Sequence, residues 1–410
     1  MPYLDLKEPV RDELFALLRS DDPFLDSFRS QSKAIAALMG NFQTPMGYSV
    51  TPSALLLRSG SVRNEILWEA ASSLRNAFAV SCISYGWQRT AGSPNALGNL
   101  YADQYDFYPL LPSASNDDLR GMSPAQTIID VSEHFRGQTY PDVPVAPPLG
   151  NPKPDRSLWA WLVTCWKLRY IDRVESWGLR ALFRSLAYAF RAARMPKGCD
   201  DLLFDYGINI GLWYSALECL LHPEDSQVGI VQVLECLGKK GWQNHRLTEA
   251  KERQLMGTTM KLNFVQCVAH DVYRLRNNFL HGNAVSLEDL THGETLGTGT
   301  YTHILPLVYQ IAVEQFVYVN EFVARSPDTS LEKLLAKAPI EEIEEQAAAS
   351  LAADYLEEAL ITFQLGRPRR SEERWGDSGC EEIWVTDPDG TKHRLIRKKQ
   401  DSSDQSGASP

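Results

Sequence analysis

The 410-residue sequence lacks several features that would assign it to a special class of protein. No run of apolar residues approaches the about 20 that a membrane helix needs, and the first residues lack the basic segment and apolar core of a secretory signal. The seven cysteines are scattered, without a Cys-x-x-Cys pair. We therefore expect a cytoplasmic protein with reduced thiols, no membrane association, and neither disulfides nor a zinc site.

An excess of positive charge is also absent, because 52 Asp and Glu residues outnumber 41 Lys and Arg residues and give a formal net charge of −11. A protein that coats nucleic acid non-specifically needs a positive surface, so this class is disfavoured. A local basic patch remains compatible with the net charge, because salt screens charges from one another over short distances. We expect no metal ion and no cofactor, since four histidines show no metal-ligand spacing: His222, His245, His292 and His303.

Proline is unevenly distributed and marks a domain boundary. Residues 141–154 contain six prolines, and such a stretch cannot hold a helix and is typical of a linker or an extended strap. We therefore expect four parts: an N-terminal domain of unknown role (1–150), a helical domain (155–325), an acidic helical extension with a small hairpin (326–400) and a disordered tail (401–410).

Apolar residues of the central part recur at helical spacing, as in the stripe of Leu179, Leu182 and Leu186. Helices are predicted there over 158–171, 174–194, 208–221, 228–237, 247–281 and 304–323.

The N-terminal and C-terminal parts have weaker patterns. Helices are predicted over 12–19 and 62–80, and short strands at 48–50 and 54–57. Two apolar runs at 383–386 and 393–396 flank a Pro-Asp-Gly turn and predict a hairpin. The fold class is mainly α, with a mixed, less regular N-terminal domain and an acidic helical C-terminal extension.

The most informative segment ends the predicted helix 247–281, where Arg276 and Asn277 are followed by three spacers, His281 and Gly282. Glycine at that position is a natural residue to end a helix. Arg75-Asn76 is an internal comparison on another predicted helix, but Val80 stands where the histidine would be.

An arginine and a histidine suffice to break an RNA phosphodiester without a metal ion. His281, beside the negative end of the helix dipole, can take a proton from a ribose 2′-hydroxyl or give one to the leaving oxygen. Arg276 can place a bidentate guanidinium on the phosphate, and Asn277 can orient His281 or hold a phosphate oxygen. The expected products are a 2′,3′-cyclic phosphate and a free 5′-hydroxyl.

Helix geometry constrains this site. At about 100° per residue, Arg274, Asn277 and His281 lie opposite the buried Leu275, with His270 close by. Arg276 lies about 140° around the axis from His281. This separation favours a site completed by two copies of the helix that face each other. A structural alternative stays open, in which Arg276 pairs with Glu218 and ties two helices together.

The stretch 159–323 resembles the HEPN superfamily, and within it the Apea-like branch. Residues 212–221, which include Glu218, are similar to an early core helix of that branch, and residues 182–187 are similar to the segment that often precedes it. The run Arg276-Asn277-x-x-x-His281-Gly282 matches the Arg-x4–6-His signature of the superfamily. The resemblance implies an up-and-down helical bundle that dimerises through its motif helices.

The resemblance further implies a metal-independent endoribonuclease of a toxin or anti-phage defence system, with an antitoxin or regulatory partner as a possible component. It implies catalytic roles for Arg276, Asn277 and His281, with Arg274 and Glu218 in support. The alternative within the superfamily is a non-catalytic module that binds a partner protein or a nucleotide. A scaffold whose N-terminal half carries the function is a third possibility.

Three arginines of the predicted helix 174–194 fall on one stripe beside its apolar face, and they are Arg180, Arg184 and Arg191. A row of guanidinium groups can follow the phosphates of an RNA substrate. The alternative is an ordinary solvated helix face. The acidic residues after 326 suggest a further hypothesis, that truncation after Val323 raises activity by removing an inhibitory segment.

Overall fold

Helices dominate the part of the chain that the structure describes, which confirms the mainly α class. The structure is a computed structural model. It describes residues 1, 4, 6, 8–43, 47–90, 100–108, 110–112, 119–122, 127–128, 152–194, 202–221, 229–255, 257–290, 300–320, 356–364, 380–386 and 392–398.

The helices agree in most places with the apolar periodicity of the sequence. They are α1 (Asp26–Gln31), α2 (Lys33–Gly40), α3 (Leu67–Thr90), α4 (Arg156–Trp166), α5 (Trp177–Ala192), α6 (Leu202–Leu221), α7 (Ile230–Gly238), α8 (His245–Thr248), α9 (Phe264–Leu280), α10 (Tyr301–Val319) and α11 (356–364). A π-helical turn (Lys167–Ile171) continues α4. In the described residues no helix has the length and apolar character needed to cross a bilayer.

The strands form small antiparallel sheets. Their bounds are β1 (Val10–Arg11), β2 (Phe15–Arg19), β3 (Ser53–Leu57), β4 (Leu110–Pro112), β5 (Leu119–Met122), β6 (Thr127–Ile128), β7 (Lys251–Leu255), β8 (Thr258–Leu262), β9 (Cys380–Thr386) and β10 (Lys392–Lys398). Strands β1-β2-β3 and β4-β5-β6 form two three-stranded sheets, and β7-β8 and β9-β10 form hairpins. The last hairpin pairs Thr386 with Lys392, and it confirms the hairpin predicted around residues 383–396.

The core is organised around α10, which packs against α3, α4, α5, α6, α7 and α9. Most of the α10 side chains are buried. Hydrogen bonds between buried side chains link the helices of this core. Gln88 of α3 donates to Asp155 Oδ2 at 3.0 Å and to Gln310 Oε1 of α10 at 2.8 Å. These bonds fix the position of α3 against the start of α4 and against α10, because an unpaired buried amide would be costly.

Residues on both sides of the proline-rich segment 141–154 contribute to this one core, which extends from Met1 to Phe363. Most of that segment lies outside the described residues. Because α3 packs against α4, α5 and α10, the expected boundary at 141–154 does not divide the core into an N-terminal and a central part. The chain separates instead into residues 1–367 and residues 368–410, and the hairpin β9-β10 is the described part of the second unit.

The helix predicted over residues 12–19 is wrong, because Phe15–Arg19 is the strand β2. It pairs with β3 in the register Phe15 to Leu57 and Arg19 to Ser53. Phe15, Leu17 and Leu18 are buried, so β2 has Phe15 and Leu17 on one face in the core and Leu18 buried on the other. The segment is too short for its periodicity to distinguish the two structures, and pairing with β3 decides between them. The strand predicted at 54–57 is confirmed.

The single helix predicted over residues 247–281 is also wrong in its first half. The hairpin β7-β8 occupies residues 251–262, and Gly257 in its turn has a φ of +80°, which favours glycine. The helix α9 begins after Asn263, whose side chain accepts from Gln266 N while the Gln266 side chain accepts from Asn263 N. This capping box and the glycine are the sequence signals that mark the true start of the helix.

The described part of the acidic extension, α11, packs into the core of the first unit. Leu356, Ala359, Leu360 and Phe363 are buried there. Glu357 accepts hydrogen bonds from the backbone N–H groups of Gln243 and Asn244 at 2.9 and 3.1 Å. The tail 401–410 and the acidic cluster before residue 356 lie outside the described residues. Truncation after Val323 would remove a core helix, so it would not isolate the inhibitory effect considered above.

We predict that Leu360→Ala lowers the free energy of unfolding by about 2–5 kcal/mol, because Leu360 is fully buried and its loss leaves a cavity. Urea unfolding followed by circular dichroism measures the change. The matched control is Glu358→Ala on the exposed face of the same helix, for which we expect a change within about 0.5 kcal/mol. Equal effects of the two substitutions would show that α11 does not belong to the core.

Candidate functional site

The C-terminal end of α9 carries the Arg276–His281 segment. His281 is the C-cap of α9, and Gly282 follows with a φ of +70°. The Asn283 N–H donates to Asn278 O at 2.9 Å, and the Gly282 N–H donates to Phe279 O at 3.4 Å. These two bonds form a Schellman motif, which confirms the predicted role of Gly282. The chain therefore leaves α9 directly after His281.

Arg276, Asn277 and Glu218 come together on the face of α9 that meets α6. The Arg276 Nη1 donates to Asn277 Oδ1 at 3.2 Å. The Arg276 Nη2 lies 3.9 Å from Glu218 Oε2, and both side chains are 28 % exposed. Asn277 and Glu218 thus orient the guanidinium of Arg276. The 3.9 Å separation makes the ion pair with Glu218 weak, and the guanidinium stays accessible to solvent.

His281 and Arg274 lie apart from this group. His281 is exposed, and among the described contacts no hydrogen bond or ion pair joins it to Arg276. Arg274 is also exposed, and its charge acts on Asp289 and Tyr301. The pKa of Asp289 is lowered mainly by its hydrogen bonds from Ser286, and Arg274 contributes a smaller part. One chain therefore presents the arginine and the histidine of the motif without joining them.

His270, which the helical wheel placed near this polar face, is instead buried under β7. Its Nε2 lies 3.3 Å from Gln254 O and its Nδ1 lies 3.2 Å from Asp271 Oδ1. The wheel misplaced it because the hairpin β7-β8 covers a side of α9 that a straight helix through residues 247–281 would have left open. His270 is therefore not part of the candidate site.

Tyr214 is a neighbour of the site that the sequence did not single out. The Arg276 Cζ lies 5.8 Å from the centroid of its ring, and the ring of Tyr273 lies 5.4 Å away. Burial raises the pKa of Tyr214, and the charge of Glu218 adds to this. Its buried hydroxyl has no hydrogen-bond partner among the described residues. The sequence feature that could have identified Tyr214 is its position one helical turn before Glu218 on α6.

The arginines of the predicted stripe, Arg180, Arg184 and Arg191, line a cleft of about 800 Å³. Most of its lining residues belong to α3 and α5, and residues 106–108 also line it. Three further arginines line it: Arg75, Arg169 and Arg194. The sequence could not show that α3 supplies the second wall, since nothing local links residue 75 to α5.

Arg75 forms part of the cleft wall between two aromatic rings. Its Cζ lies 4.1 Å from the centroid of Phe190 and 4.8 Å from that of Phe107. The pKa of Arg75 is lowered to about 10, mainly by burial and to a smaller extent by the charges of Arg194 and Arg191, while the charge of Asp106 opposes this shift. Arg75 therefore remains charged at neutral pH.

Metal-ligand side chains do not cluster in the described part of the chain. No group of three or more His, Cys, Asp and Glu side chains is arranged there to hold a metal ion. His303, one of the histidines noted above, stacks on Trp87 with ring centroids 4.4 Å apart. Burial lowers the pKa of His303 to about 4, so this histidine is neutral at pH 7. Comparisons with protein families, with curated proteins and with solved structures find no match to this chain.

We predict that Gly282→Ala destabilises the protein by about 1 kcal/mol, because alanine is strained at a φ of +70°. Gly282→Asn should cost less, since asparagine tolerates this conformation better. Urea unfolding gives both values. Gly40→Ala at the end of α2 is the control, because Gly40 has open space and no positive φ. A neutral Gly282→Ala would contradict the Schellman ending of α9.

Proposed function

We propose that this protein is a metal-independent endoribonuclease of the HEPN type, with a HEPN-like helical bundle within residues 155–325. The observation that carries the proposal is the arrangement at the end of α9. There, Arg276 is oriented by Asn277 and Glu218 but stays accessible, and His281 is exposed at the C-cap five residues further along. Both groups are available to a substrate in solvent.

The chemistry assigns one role to each group. His281 removes the proton from a ribose 2′-hydroxyl, and the 2′-oxygen attacks the adjacent phosphorus. The bond from phosphorus to the 5′-oxygen breaks, and the leaving oxygen receives a proton from an imidazolium. Arg276 donates to the phosphate oxygens as negative charge grows on them. The products are a 2′,3′-cyclic phosphate and a 5′-hydroxyl, with no metal ion required.

Two copies of the chain complete the site in this proposal. Within one chain, no described contact joins Arg276 to His281, so a facing α9 supplies the missing partner. The same end of α9 exposes Leu280, of which 64 % is accessible, and α6 exposes Ile208, of which 44 % is accessible. A Cβ at Gly207 would lie 2.6 Å from the ring of Phe279, so glycine permits the close contact of α6 with α9 beside these residues. Apolar residues so placed suit an interface between two identical helices.

A non-catalytic HEPN module is the second candidate, and the pairing of Arg276 with Glu218 is the observation that favours it. In that case the arginine ties α9 to α6 and the surface binds a partner protein or a nucleotide. The 3.9 Å separation and the exposure of both side chains argue that the ion pair contributes little to stability. The arginine is then not required for folding, which leaves catalysis as the stronger reading.

We predict that the purified protein cleaves RNA in the presence of EDTA and that Arg276→Ala and His281→Ala each reduce the rate by at least about 100-fold. The 2′,3′-cyclic phosphate ends are identified by mass spectrometry. Expression of the wild type, but not of His281→Ala, should arrest growth if the setting is a toxin or a phage defence.

The control for this experiment is Arg274→Ala, which removes an exposed arginine of the same helix that faces away from α6. We expect it to lower the rate by less than about tenfold, since Arg274 does not reach the group around Arg276. Unchanged cleavage by folded Arg276→Ala and His281→Ala would disprove the nuclease. A stable complex with a partner protein, without cleavage, would support the non-catalytic module.

A second prediction tests the shared site. Neither Arg276→Ala nor His281→Ala alone cleaves RNA, but an exchanged mixture of the two should regain about a quarter of the wild-type activity. Half of the dimers in the mixture are heterodimers, and each contains one complete pair of residues. Cleavage after subunit exchange measures the recovery.

Leu280→Glu provides the control for the mixture. It should give a monomer by light scattering and abolish the recovery, because a charge cannot be buried unpaired in the interface. Val319→Glu places the same charge at an exposed apolar residue of α10 and should leave the dimer intact. If a mixture shown to contain heterodimers regains no activity, the proposal of a shared site is wrong and the whole site lies in one chain.

A further inference from the structure

The cleft between α3 and α5 concentrates positive charge in an acidic protein. Six arginines line it, against two carboxylates, Glu69 and Asp106, so its formal charge is positive by four. The whole chain has a formal net charge of −11. A concave surface of this charge attracts anions, because low-dielectric walls focus the field inside it.

The two carboxylates of the cleft pair with some of its arginines and leave others without a carboxylate partner. Arg194 Nη2 donates to both carboxylate oxygens of Asp106 at 2.7 Å, and Arg169 Nη2 lies 2.7 Å from Glu69 Oε1. Among the described residues, no carboxylate pairs with Arg184 or Arg191, and both are exposed. Arg191 Nη1 donates to Ala187 O of its own helix at 3.4 Å, which leaves its positive charge uncompensated. The exposed charges of both guanidinium groups are therefore available to bind phosphate.

Arg180, Arg184 and Arg191 form a row that runs along α5. Arg180 and Arg191 are eleven residues apart, which is about 16 Å along a helix axis. A stacked nucleic-acid strand carries a phosphate about every 3.4 Å of its axis. The row thus spans several consecutive phosphates, which suits a strand better than a single compact phosphate group.

Aromatic rings accompany the arginines. Trp68 lines the cleft and is 55 % exposed, and its ring lies 5.4 Å from Phe107 at an angle of 47°. An exposed indole beside guanidinium groups is a platform on which a base can stack. Arg169, which also lines the cleft, belongs to a π-helical turn, and such turns occur frequently at functional sites.

We propose that this cleft is a binding site for single-stranded RNA, in which Arg184 and Arg191 contact two phosphates of one strand and Trp68 stacks on a base. The assignment of RNA, as opposed to another strand, rests on the proposed function, for which the cleft would hold the substrate outside the residues that cut it. The cleft lies on α3 and α5, and none of its lining residues comes from α9. Binding and cleavage can therefore be tested separately.

The experiment measures binding of a fluorescein-labelled 12-residue oligouridylate by fluorescence anisotropy in EDTA. All proteins carry His281→Ala, so that the probe stays intact. Arg184→Ala/Arg191→Ala should weaken binding at least about tenfold and reduce the slope of log K against log salt by about 1.4, since each lost phosphate contact on a single strand contributes about 0.7. Trp68→Ala should weaken binding about tenfold without changing the slope.

Two matched controls use exposed residues elsewhere. Lys153→Ala/Arg156→Ala also removes two positive charges. Arg156 lies about 20 Å from Arg169 along α4 and its π-helical continuation, and Lys153 lies just before α4. Phe24→Ala removes an aromatic ring of similar exposure, 53 %. Both controls should bind the probe within about twofold of the parent protein. All variants have exposed substitutions, and their thermal unfolding confirms that they fold.

Three results would overturn the proposal. The first is that the parent protein fails to bind the probe at 50 mM salt. The second is that the control variants lose as much affinity as the cleft variants. Alternatively, ATP or polyglutamate displaces the probe at the same charge concentration as unlabelled oligouridylate, which would identify a nucleotide or an acidic protein segment as the ligand. Binding without cleavage by the wild type would contradict only the nuclease, and cleavage without cleft-dependent binding would contradict only this site.

Discussion

The packing of α5 against α6 is the contact on which both candidate surfaces depend. The α5 stripe of Leu179, Leu182 and Leu186 is fully buried, and each such side chain stabilises the fold by roughly 1.5–3 kcal/mol. Ser185 Oγ of α5 donates to Ala216 O of α6 at 2.7 Å and lies 2.8 Å from the Tyr309 hydroxyl of α10. This contact turns the arginines of α5 outward to the cleft. It also holds α6 so that Tyr214 and Glu218 meet Arg276 of α9.

The two surfaces are therefore built on different helices of one packed pair. The cleft is formed where α5 faces α3, and the Arg276 group is formed where α6 faces α9. A strand bound along α5 would have to pass around the pair to reach His281 of the same chain, whereas a dimer offers a second route to the other subunit. In the dimer proposed above, the proposed binding cleft and the proposed cutting site would serve one RNA.

The sequence predicted those parts of the fold in which one long helix has one apolar stripe. The helix α5 and the end of α9 at Gly282 were predicted because periodicity and a glycine signal them locally. The strand β2 and the hairpin β7-β8 were missed because their periodicity is short and their partners are elsewhere in the chain. The same limit applies to the site: Arg276, Asn277 and Glu218 follow from spacing and from the resemblance, but the burial of His270 and the contact with Tyr214 follow only from tertiary packing.

The Arg75-Asn76 pair shows how the same two residues acquire different uses in one fold. Arg75 donates to Asn76 Oδ1 at 2.9 Å, much as Arg276 donates to Asn277 Oδ1 at 3.2 Å. Arg75 is then held between the rings of Phe107 and Phe190, which leaves it 15 % exposed, whereas Arg276 touches one ring and is 28 % exposed. Val80 is buried on α3 where α9 has the exposed His281. The first pair therefore lacks an exposed group that could move a proton, and the second has one in His281. The role proposed for the second pair thus depends on what the surrounding helices leave exposed.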